Sequence, residues 1–499
     1  MSIQSRQVCP LLFLLIFILS MPFNLSADPA ATALAKAAQL EMEGQFLAAS
    51  NVLDNALAAT PAAAQRKPIA FELDRMNRIC QDFSLTEEDL FAALRRSVRG
   101  LTAKEFEEWV QQGRFDSRVI DGRRWFMRSS VSNLYFRYPA LDSRRMDGMD
   151  RTNLVRAFLA SCRAIKQAAL SEHSPYVLPK RFDITMTVTV NADVVPPGHV
   201  IRAWLPIPRN YPYQTDFEIV SSSPPVKEVA PGDSSIRSAY FEEAAQAGRP
   251  TRFILHYHYT RYGVWFEIDP DRVKAFDGKD PAIAVYTRQA PHVVFTPRMR
   301  ALSERIGGGE KNPALLAKKF YDWIGENIYY SYAIEYSTIR NISDYCRSRG
   351  YGDCGQEAML FITLCRLNGI PARWQSGWHT FPGVHSIHDW TEIYLAPYGW
   401  VPVDPYMSVM SSHYATALPV AERHEIRDFY FGGLDVWRMA ANDDHCQILS
   451  PPKNTFRSDN VDFQRAELES GNQNIYFNQF SYSLEVKELP ALGQPEAGR

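Results

Sequence analysis

The pattern of apolar and polar positions is helical in the first third of the chain. Apolar residues recur every three or four positions in Ala31 to Ala58 and again in Arg151 to Leu170. This period places the apolar side chains on one face of a helix. Gly44 is the one weak point of the first stretch, because glycine is a poor helix former. We therefore expect a mostly helical domain over residues 28–180.

The pattern changes to strict alternation at residue 181. Phe182 to Val190 alternates apolar and polar residues and is rich in β-branched side chains, which is typical of a half-buried strand. Proline- and glycine-rich turns separate it from further short strand-like runs at Val200 to Leu205, Phe217 to Val220 and Phe253 to Tyr259. We expect an antiparallel β-sandwich domain over residues 181–265.

Helical and strand patterns mix from residue 266 onward. Asn312 and Pro313 open a predicted helix that runs to about Ile328, and a second helix is predicted to begin at Asp353. Strands are predicted at Ala372 to Gly377, Trp390 to Leu395, Trp400 to Val403 and Phe480 to Val486. We expect a catalytic core over residues 266–445 and a C-terminal extension with strands over 446–499.

The first 27 residues resemble a secretory signal peptide. Leu11 to Leu19 is an unbroken apolar run behind Arg6, and small residues lead to a cleavage site after Ala27. A single membrane anchor is the alternative, but the run is shorter than the ~20 residues that a spanning helix needs. We expect a secreted or periplasmic protein with no stable membrane insertion after cleavage.

The composition argues against nucleic acid as a partner and excludes few other kinds of partner. The 499 residues include 54 basic and 56 acidic side chains, and no long basic run offers a binding face for phosphates. Six of the seven cysteines follow the predicted signal peptide. Their sparse spacing is not that of a disulfide scaffold and allows at most one or two bridges. The oligomeric state stays open.

Cys354 lies where a helix is predicted to begin. Asp353 can cap the helix with Gln356 in a capping box, and Gly369 followed by Pro371 marks its end. Backbone N–H groups and the positive end of the helix dipole surround the first turn. We expect this environment to lower the pKa of the Cys354 thiol and to supply donors for a developing oxyanion.

A thiolate nucleophile needs a base and a group that orients the base. His388 lies at the start of one predicted strand, and Asp404 follows the next strand after a tight turn at Gly399. A short hairpin would bring the two side chains together near the start of the Cys354 helix. The sequence therefore predicts a Cys354, His388 and Asp404 triad.

Four segments in this order resemble the transglutaminase-like superfamily. They are Gly352-Asp-Cys354, Leu367-Asn-Gly-Ile-Pro-Ala-Arg373, His388-x-Trp-x-Glu-x-Tyr and Gly399-Trp-x-Pro-x-Asp404. The resemblance covers roughly residues 310 to 410. It implies an α+β, papain-like transglutaminase core, and the β-domain before it resembles those that precede the core in many bacterial members. Together with the helical region and β-sandwich predicted above, we expect a multidomain α+β protein. The family often has His-Ala-Trp where this chain has an aspartate, Asp389.

The resemblance also implies roles for individual residues. Cys354 would be the nucleophile, His388 the general base and Asp404 the residue that orients it. Tyr330, His385 and Trp390 are candidate substrate-binding residues, and the backbone N–H of Cys354, with Tyr330, is a candidate oxyanion donor. We expect a peptide, protein or cell-wall substrate, no cofactor and no calcium, since the calcium sites of animal transglutaminases have no counterpart.

Several alternatives stay open from the sequence. Water as acceptor would make the enzyme a peptidase or amidase, and an amine would make it a transglutaminase. A non-catalytic protein that binds glycans or peptides on this fold is the other class. A disulfide between Cys346 and Cys354 would be regulatory.

Two histidine groups raise the question of metal. His379, His385 and His388 could hold zinc with Cys354, but their spacing favours the triad. His256 and His258 share one face of a predicted strand. With no third ligand nearby in sequence, a structural role is favoured for this pair.

Overall fold

A computed structural model describes residues 28–60, 62–148 and 151–490, so the predicted signal peptide lies outside the described residues. The chain divides into two compact units, one ending at Leu73 and the other beginning at Asp74. The fold mixes helices with antiparallel sheets, as predicted. In the described part, no helix is long and apolar enough to cross a membrane. The predicted domain limits stay predictions.

The first unit contains helices that the sequence pattern joined into one. They are α1 (Pro29–Met42) and α2 (Phe46–Ala59), followed by α3 (Ala63–Asp82), which extends across the division between the units. The predicted stretch Ala31 to Ala58 breaks at Gly44, whose φ of 76° is left-handed and incompatible with a continuing α-helix.

The remainder of the predicted helical region also holds a small sheet. Its elements are β1 (Phe83–Leu85), α4 (Glu87–Ser97), α5 (Ala103–Gln111), β2 (Ser117–Ile120), β3 (Arg123–Met127), α6 (Ser130–Arg137) and α7 (Thr152–Glu172). The sheet order is β1–β3–β2. Leu90, Trp109 and Phe126 belong to the hydrophobic cluster of this region.

A strand-rich region follows. Its strands are β4 (Tyr176–Val190), β5 (Val200–Pro206), β6 (Gln214–Ser223), β7 (Glu228–Val229), β8 (Ser238–Ala244) and β9 (Thr251–Trp265). Each predicted strand is present and is longer than its apolar pattern, because pairing continues into the polar residues at its ends. Strand β8 was not predicted.

The last part of the chain alternates helices and strands. Its elements are α8 (Pro281–Ala284), α9 (Pro297–Gly307), α10 (Pro313–Asn327), β10 (Tyr329–Tyr330), α11 (Ile342–Arg349), β11 (Tyr351–Gly352), α12 (Cys354–Leu367), β12 (Ala372–Phe381), β13 (Val384–Leu395), β14 (Gly399–Val403), α13 (Pro405–His413), α14 (Val420–Phe429), β15 (Gly433–Leu434), β16 (Arg438–Asn442), β17 (Glu467–Ser470), β18 (Gln473–Ile475) and β19 (Phe480–Leu489).

Two five-stranded sheets share one hydrophobic core. One has the order β15–β9–β4–β19, with β6 also paired to β9, and the other has the order β18–β17–β5–β8–β7. Phe182 and Leu255 from the first sheet lie in the same buried cluster as Leu205 and Phe241 from the second. The strands β17, β18 and β19 come from the C-terminal residues, so the predicted extension is built into both sheets.

A third sheet, β14–β13–β12–β16, positions the candidate site. Helix α12 is buried along nearly its whole length and shares a core with α10 and this sheet. Helix α12 packs against β12 and β13, and Cys354 in its first turn contacts Asp389 in the middle of β13.

Candidate active site

The start of α12 carries Cys354, as predicted. Asp353 is the N-cap, and its carboxylate accepts hydrogen bonds from the Gln356 N–H (3.1 Å) and the Tyr336 hydroxyl (2.7 Å). Only the Asp353 half of the predicted capping box is formed, in which its side chain accepts from the Gln356 N–H. A Cβ at Gly355 would overlap the Tyr336 hydroxyl, which shows how closely these side chains pack on the first turn.

The hairpin of β13 and β14 brings His388 and Asp404 together. Thr391 pairs with Val403 in the antiparallel ladder, and Asp404 follows directly as the N-cap of α13. His388 Nε2 lies 2.9 Å from Asp404 Oδ2. His388 stands in the middle of β13 rather than at its start, because β13 begins four residues earlier than His388.

Asp404 is fully buried and keeps its charge through a second partner, Arg438 on β16. The Arg438 guanidinium also lies 3.1 Å from Asp435, which accepts a hydrogen bond from Tyr430 (2.7 Å). Burial raises the pKa of Asp404, but Arg438 and His388 outweigh it and hold this pKa below its usual value. The same arginine outweighs burial at Asp435 and lowers its pKa to about 2.

His388 is neutral in this environment. Burial lowers the pKa of the imidazole, and Asp404 only partly opposes that effect. The Trp390 indole stacks on the ring with a centroid distance of 5.8 Å and an angle of 20°. Since Nε2 is engaged by Asp404, Nδ1 is the nitrogen that can accept a proton.

The thiol of Cys354 does not have the low pKa that the helix start predicts. Burial raises its pKa well above the usual value, and the Asp389 and Asp353 carboxylates raise it further. Its hydrogen-bond partner is Asp389 Oδ2, at 3.4 Å. The expected pre-formed thiolate is therefore wrong for this arrangement, because burial of the thiol, together with the two carboxyl groups, opposes the helix dipole.

Asp389 is itself held in place and resists ionisation. The Gln464 amide donates to Asp389 Oδ1 and to the His388 carbonyl, both at 2.8 Å. Burial raises the pKa of Asp389 well above its usual value, and Asp462 and Asp353 add to the effect. Gln464 thus ties the base and the thiol's partner to one side chain.

The half-buried Cys354 and the buried His388 line a cavity of about 840 Å³. Its walls include Phe136 from α6 and Phe158 from α7, so the N-terminal helical region contributes to the site. Its charged lining residues are Glu335, Asp353, Asp389, Asp459, Asp462, Arg128, Arg151, Arg438 and Arg465. The cavity is therefore lined by both apolar and ionisable side chains.

The three predicted substrate-binding residues have different positions. Tyr330 lines the cavity, and burial together with Cys354 raises its pKa, so it keeps the proton of a hydrogen-bond donor. Trp390 is fully buried, stacks on the His388 ring and donates its indole N–H to Gln375, and its role in substrate binding stays a prediction. His385 is exposed and does not line the cavity.

The structure gives no support to a Cys346–Cys354 disulfide or to a zinc site at Cys354. All six cysteines in the described part are unpaired, including Cys346, which is fully buried in the core. His379 and His385 do not form a ligand cluster with Cys354 among the residues that the structure describes. His379 instead packs between Phe158 and His388, and burial lowers its pKa to about 3.

A profile of the transglutaminase-like superfamily matches residues 300–405. Residues 300–405 form a transglutaminase-like domain. Cys354, His388 and Asp404 all lie within this transglutaminase-like domain. No curated protein matches the chain.

Three solved structures are similar to parts of the chain. A candidate cysteine protease from Cytophaga hutchinsonii is 15% identical over 64% of this chain and 94% of its own, with a TM-score of 0.42. The periplasmic domain of TgpA from Pseudomonas aeruginosa is 14% identical over 48% of this chain and 91% of its own, with a TM-score of 0.27. A candidate protease from Parabacteroides distasonis is 9% identical over 53% and 68%, with a TM-score of 0.19.

Sequence reasoning missed the residues that support the transglutaminase-like site from a distance. Arg438 and Gln464 lie 34 residues beyond Asp404 and 76 residues beyond His388, and no local motif marks them. Tyr406, which lies edge-on to His388, has no signal except its closeness to Asp404. Asp389 could have been noticed from the sequence, because it occupies a position of the His-x-Trp motif where alanine is frequent in the family.

Proposed function

We propose that the chain is an exported cysteine-nucleophile enzyme that cleaves or transfers the acyl group of a peptide, isopeptide or carboxamide through a thioester. The observation that carries the proposal is the His388–Asp404 hydrogen bond of 2.9 Å beside a cavity that Cys354 also lines. A neutral, oriented imidazole and a partly exposed thiol are the two groups that acyl transfer by cysteine requires.

In the first step His388 removes the proton of the Cys354 thiol as sulfur attacks the carbonyl carbon. The raised pKa of the thiol makes this a base-assisted attack rather than the attack of a pre-formed thiolate. The C–S bond forms, the C–N bond breaks, and His388 returns the proton to the leaving amine. The products of this step are a free amine and a thioester on Cys354.

In the second step His388 accepts a proton from water or from an acceptor amine. The oxygen or nitrogen attacks the thioester, the C–S bond breaks, and the proton returns to sulfur. Asp404 holds the imidazole with Nδ1 free in both steps and stabilises the imidazolium that forms in between. Arg438 supports this role because it keeps Asp404 ionised.

The backbone N–H of Cys354, at the start of α12, is the proposed donor to the oxyanion of each tetrahedral intermediate. Tyr330 is the proposed second donor, since its hydroxyl stays protonated beside Cys354. The ionisable residues that line the cavity favour a polar substrate, such as a peptide or a peptide-bearing cell-wall polymer. Export to the periplasm or medium rests on the apolar run of residues 11 to 19.

The test is a turnover assay on a peptide and amide library with wild type and Cys354→Ser. Released amines report hydrolysis, and incorporation of a fluorescent primary amine reports transfer. We expect turnover by the wild type only, and Asp404→Asn should lower kcat by orders of magnitude while substrate binding persists.

Turnover that survives in Cys354→Ser would contradict the proposal. Saturable binding of library members by both proteins, without turnover by either, would instead support a non-catalytic binding protein. Cys365→Ser is the matched control, because Cys365 lies in the same helix but is fully buried in the core.

A further inference from the structure

A group of metal-ligating side chains lies on the outer face of the sandwich, apart from the active-site cavity. His256 and His258 are two residues apart on β9 and point to the same face, and Asp183 on β4 is the register partner of His258. His256 Nε2 lies 2.9 Å from Asp183 Oδ1, and His258 Nε2 lies 3.5 Å from Oδ2. Both imidazoles therefore turn the same nitrogen toward one carboxylate.

The geometry points to a binding site for a divalent transition-metal ion such as Zn²⁺, with Asp183, His256 and His258 as ligands. One ligand atom from each residue can be chosen so that all three lie within 4.8 Å of one another. Ligand atoms about 2.0–2.1 Å from zinc in a tetrahedron are about 3.3 Å apart, so small side-chain rotations suffice. Two imidazole nitrogens with a carboxylate oxygen are a donor set that zinc accepts.

The position of the three residues favours a stable site that an ion can reach. Asp183 lies on β4, which pairs with β9 and β19. The two histidines lie on β9, which pairs with β4 and β6, so the backbone that carries all three ligands is held on both sides. The three side chains are between 18% and 27% exposed, which leaves a side open to solvent for a water ligand. The exposed Glu218 on β6 is also the register partner of His258 and lies on the same face.

Arg181 is the feature that competes with the ion. Its guanidinium lies 3.2 Å from His258 Nδ1. When this nitrogen accepts from arginine, the proton of a neutral imidazole is on Nε2, which then cannot bind a metal. A bound ion places the proton on Nδ1 and displaces Arg181, so removal of this arginine should tighten binding.

The test is zinc titration of the metal-free protein against a chromophoric chelator, in a Cys80→Ser background that removes the exposed thiol. We expect one ion per chain. His256→Ala, His258→Ala and Asp183→Asn should each weaken binding by more than the about 10- to 100-fold typical of losing an outer-shell partner. Arg181→Ala should bind more tightly, an outcome that misfolding cannot produce.

His199→Ala is the matched control, because His199 is exposed in the loop before β5 of the same region. It should leave the affinity unchanged, as should Cys354→Ala, which separates this site from the active-site cavity. Unchanged affinity in a His256→Ala, His258→Ala double variant would overturn the proposal. Zinc binding that is lost in Cys354→Ala instead, or no binding at all, would overturn it equally.

Discussion

Arg438 and His388 keep the buried carboxylate of Asp404 ionised. Asp404 and Asp435 are both fully buried, and Arg438 lies between them. An isolated charge in such a place would become neutral, because burial disfavours the charged form. The arginine allows Asp404 to act on His388 as a charge rather than as a neutral acid.

Replacement of Arg438 by methionine tests this account. Loss of one partner from a buried ion pair typically costs about 3–5 kcal/mol in the free energy of unfolding, which chemical denaturation measures. Arg163→Met is the matched control, since Arg163 pairs with Glu422 and Glu425 on the surface and should matter little. Equal free energies of unfolding for the two variants would contradict the account.

The pH dependence of this network follows from its lowered pKa values. The folded-state pKa of Asp435 is about 2, below the ~3.9 of an unfolded aspartate. Its contribution to stability is therefore complete above the unfolded value and is lost as the pH falls toward 2. Urea unfolding of the wild type at several pH values should show this loss, and Arg438→Met should show less of it.

Asp389 controls the thiol in the opposite sense to a catalytic activator. Once Asp389 is ionised, its carboxylate raises the pKa of Cys354, so Asp389→Asn should lower that pKa. Because the pKa of Asp389 is itself well above its usual value, we expect alkylation of Cys354 to become faster in the pH range where Asp389 is ionised, by about tenfold for each unit of the shift. The rate of iodoacetamide labelling against pH measures it, and a slower or unchanged rate in the variant would show that Asp389 does not act on the thiol.

At the scale of elements, local patterns predicted the pieces that carry the site. The start of α12 at Cys354 and its end before Gly369 follow from capping residues that are adjacent in sequence. The hairpin that carries His388 was also predictable, because the turn at Gly399 separates two apolar runs that are close in sequence. Strand β16 was not predicted, because its five residues have no periodic pattern and its place beside β12 depends on distant pairing.

Gly377 on β12 makes the pairing with β16 possible. A Cβ at this position would overlap the backbone carbonyl oxygen of Met439, which cannot move without breaking the ladder. Gly377→Ala should therefore displace Arg438, lower kcat and cost about 1–3 kcal/mol of stability. Gly148→Ala is the control, since a Cβ there makes only ordinary contacts. Wild-type activity and denaturation in Gly377→Ala would contradict the role of this strand.

At the scale of the molecule, the site is assembled from segments that are far apart in sequence. The C-terminal strands pair with β4 and β5, and Gln464 reaches His388 from the segment that leads into them. Local sequence patterns cannot show which distant strands pair, because many strands could pair with the same edge of a sheet. For the same reason the third ligand of the proposed metal site, Asp183, was not visible beside His256 and His258.

The helical region forms one wall of the cavity through a specific contact. Asn133 on α6 is buried and exchanges two hydrogen bonds with the backbone of Tyr332, at 2.8 and 3.1 Å. Asn133→Ala removes both hydrogen bonds to the Tyr332 backbone, at about 1–3 kcal/mol for the pair. We expect a higher KM with a smaller change in kcat, because the wall loosens while the triad stays in place. A loss confined to kcat would contradict a role in the wall.

Alkylation kinetics can show whether His388 activates Cys354. Wild type, His388→Ala and Asp404→Asn, all in the Cys80→Ser background, would react with iodoacetamide across pH 5 to 9, with the site located by mass spectrometry. We expect Cys354 to be the residue labelled. Its rate should rise only as the pH exceeds the usual pKa of a free thiol, and both variants should react more slowly. Equal rates in all three proteins, or labelling of another cysteine, would contradict these expectations.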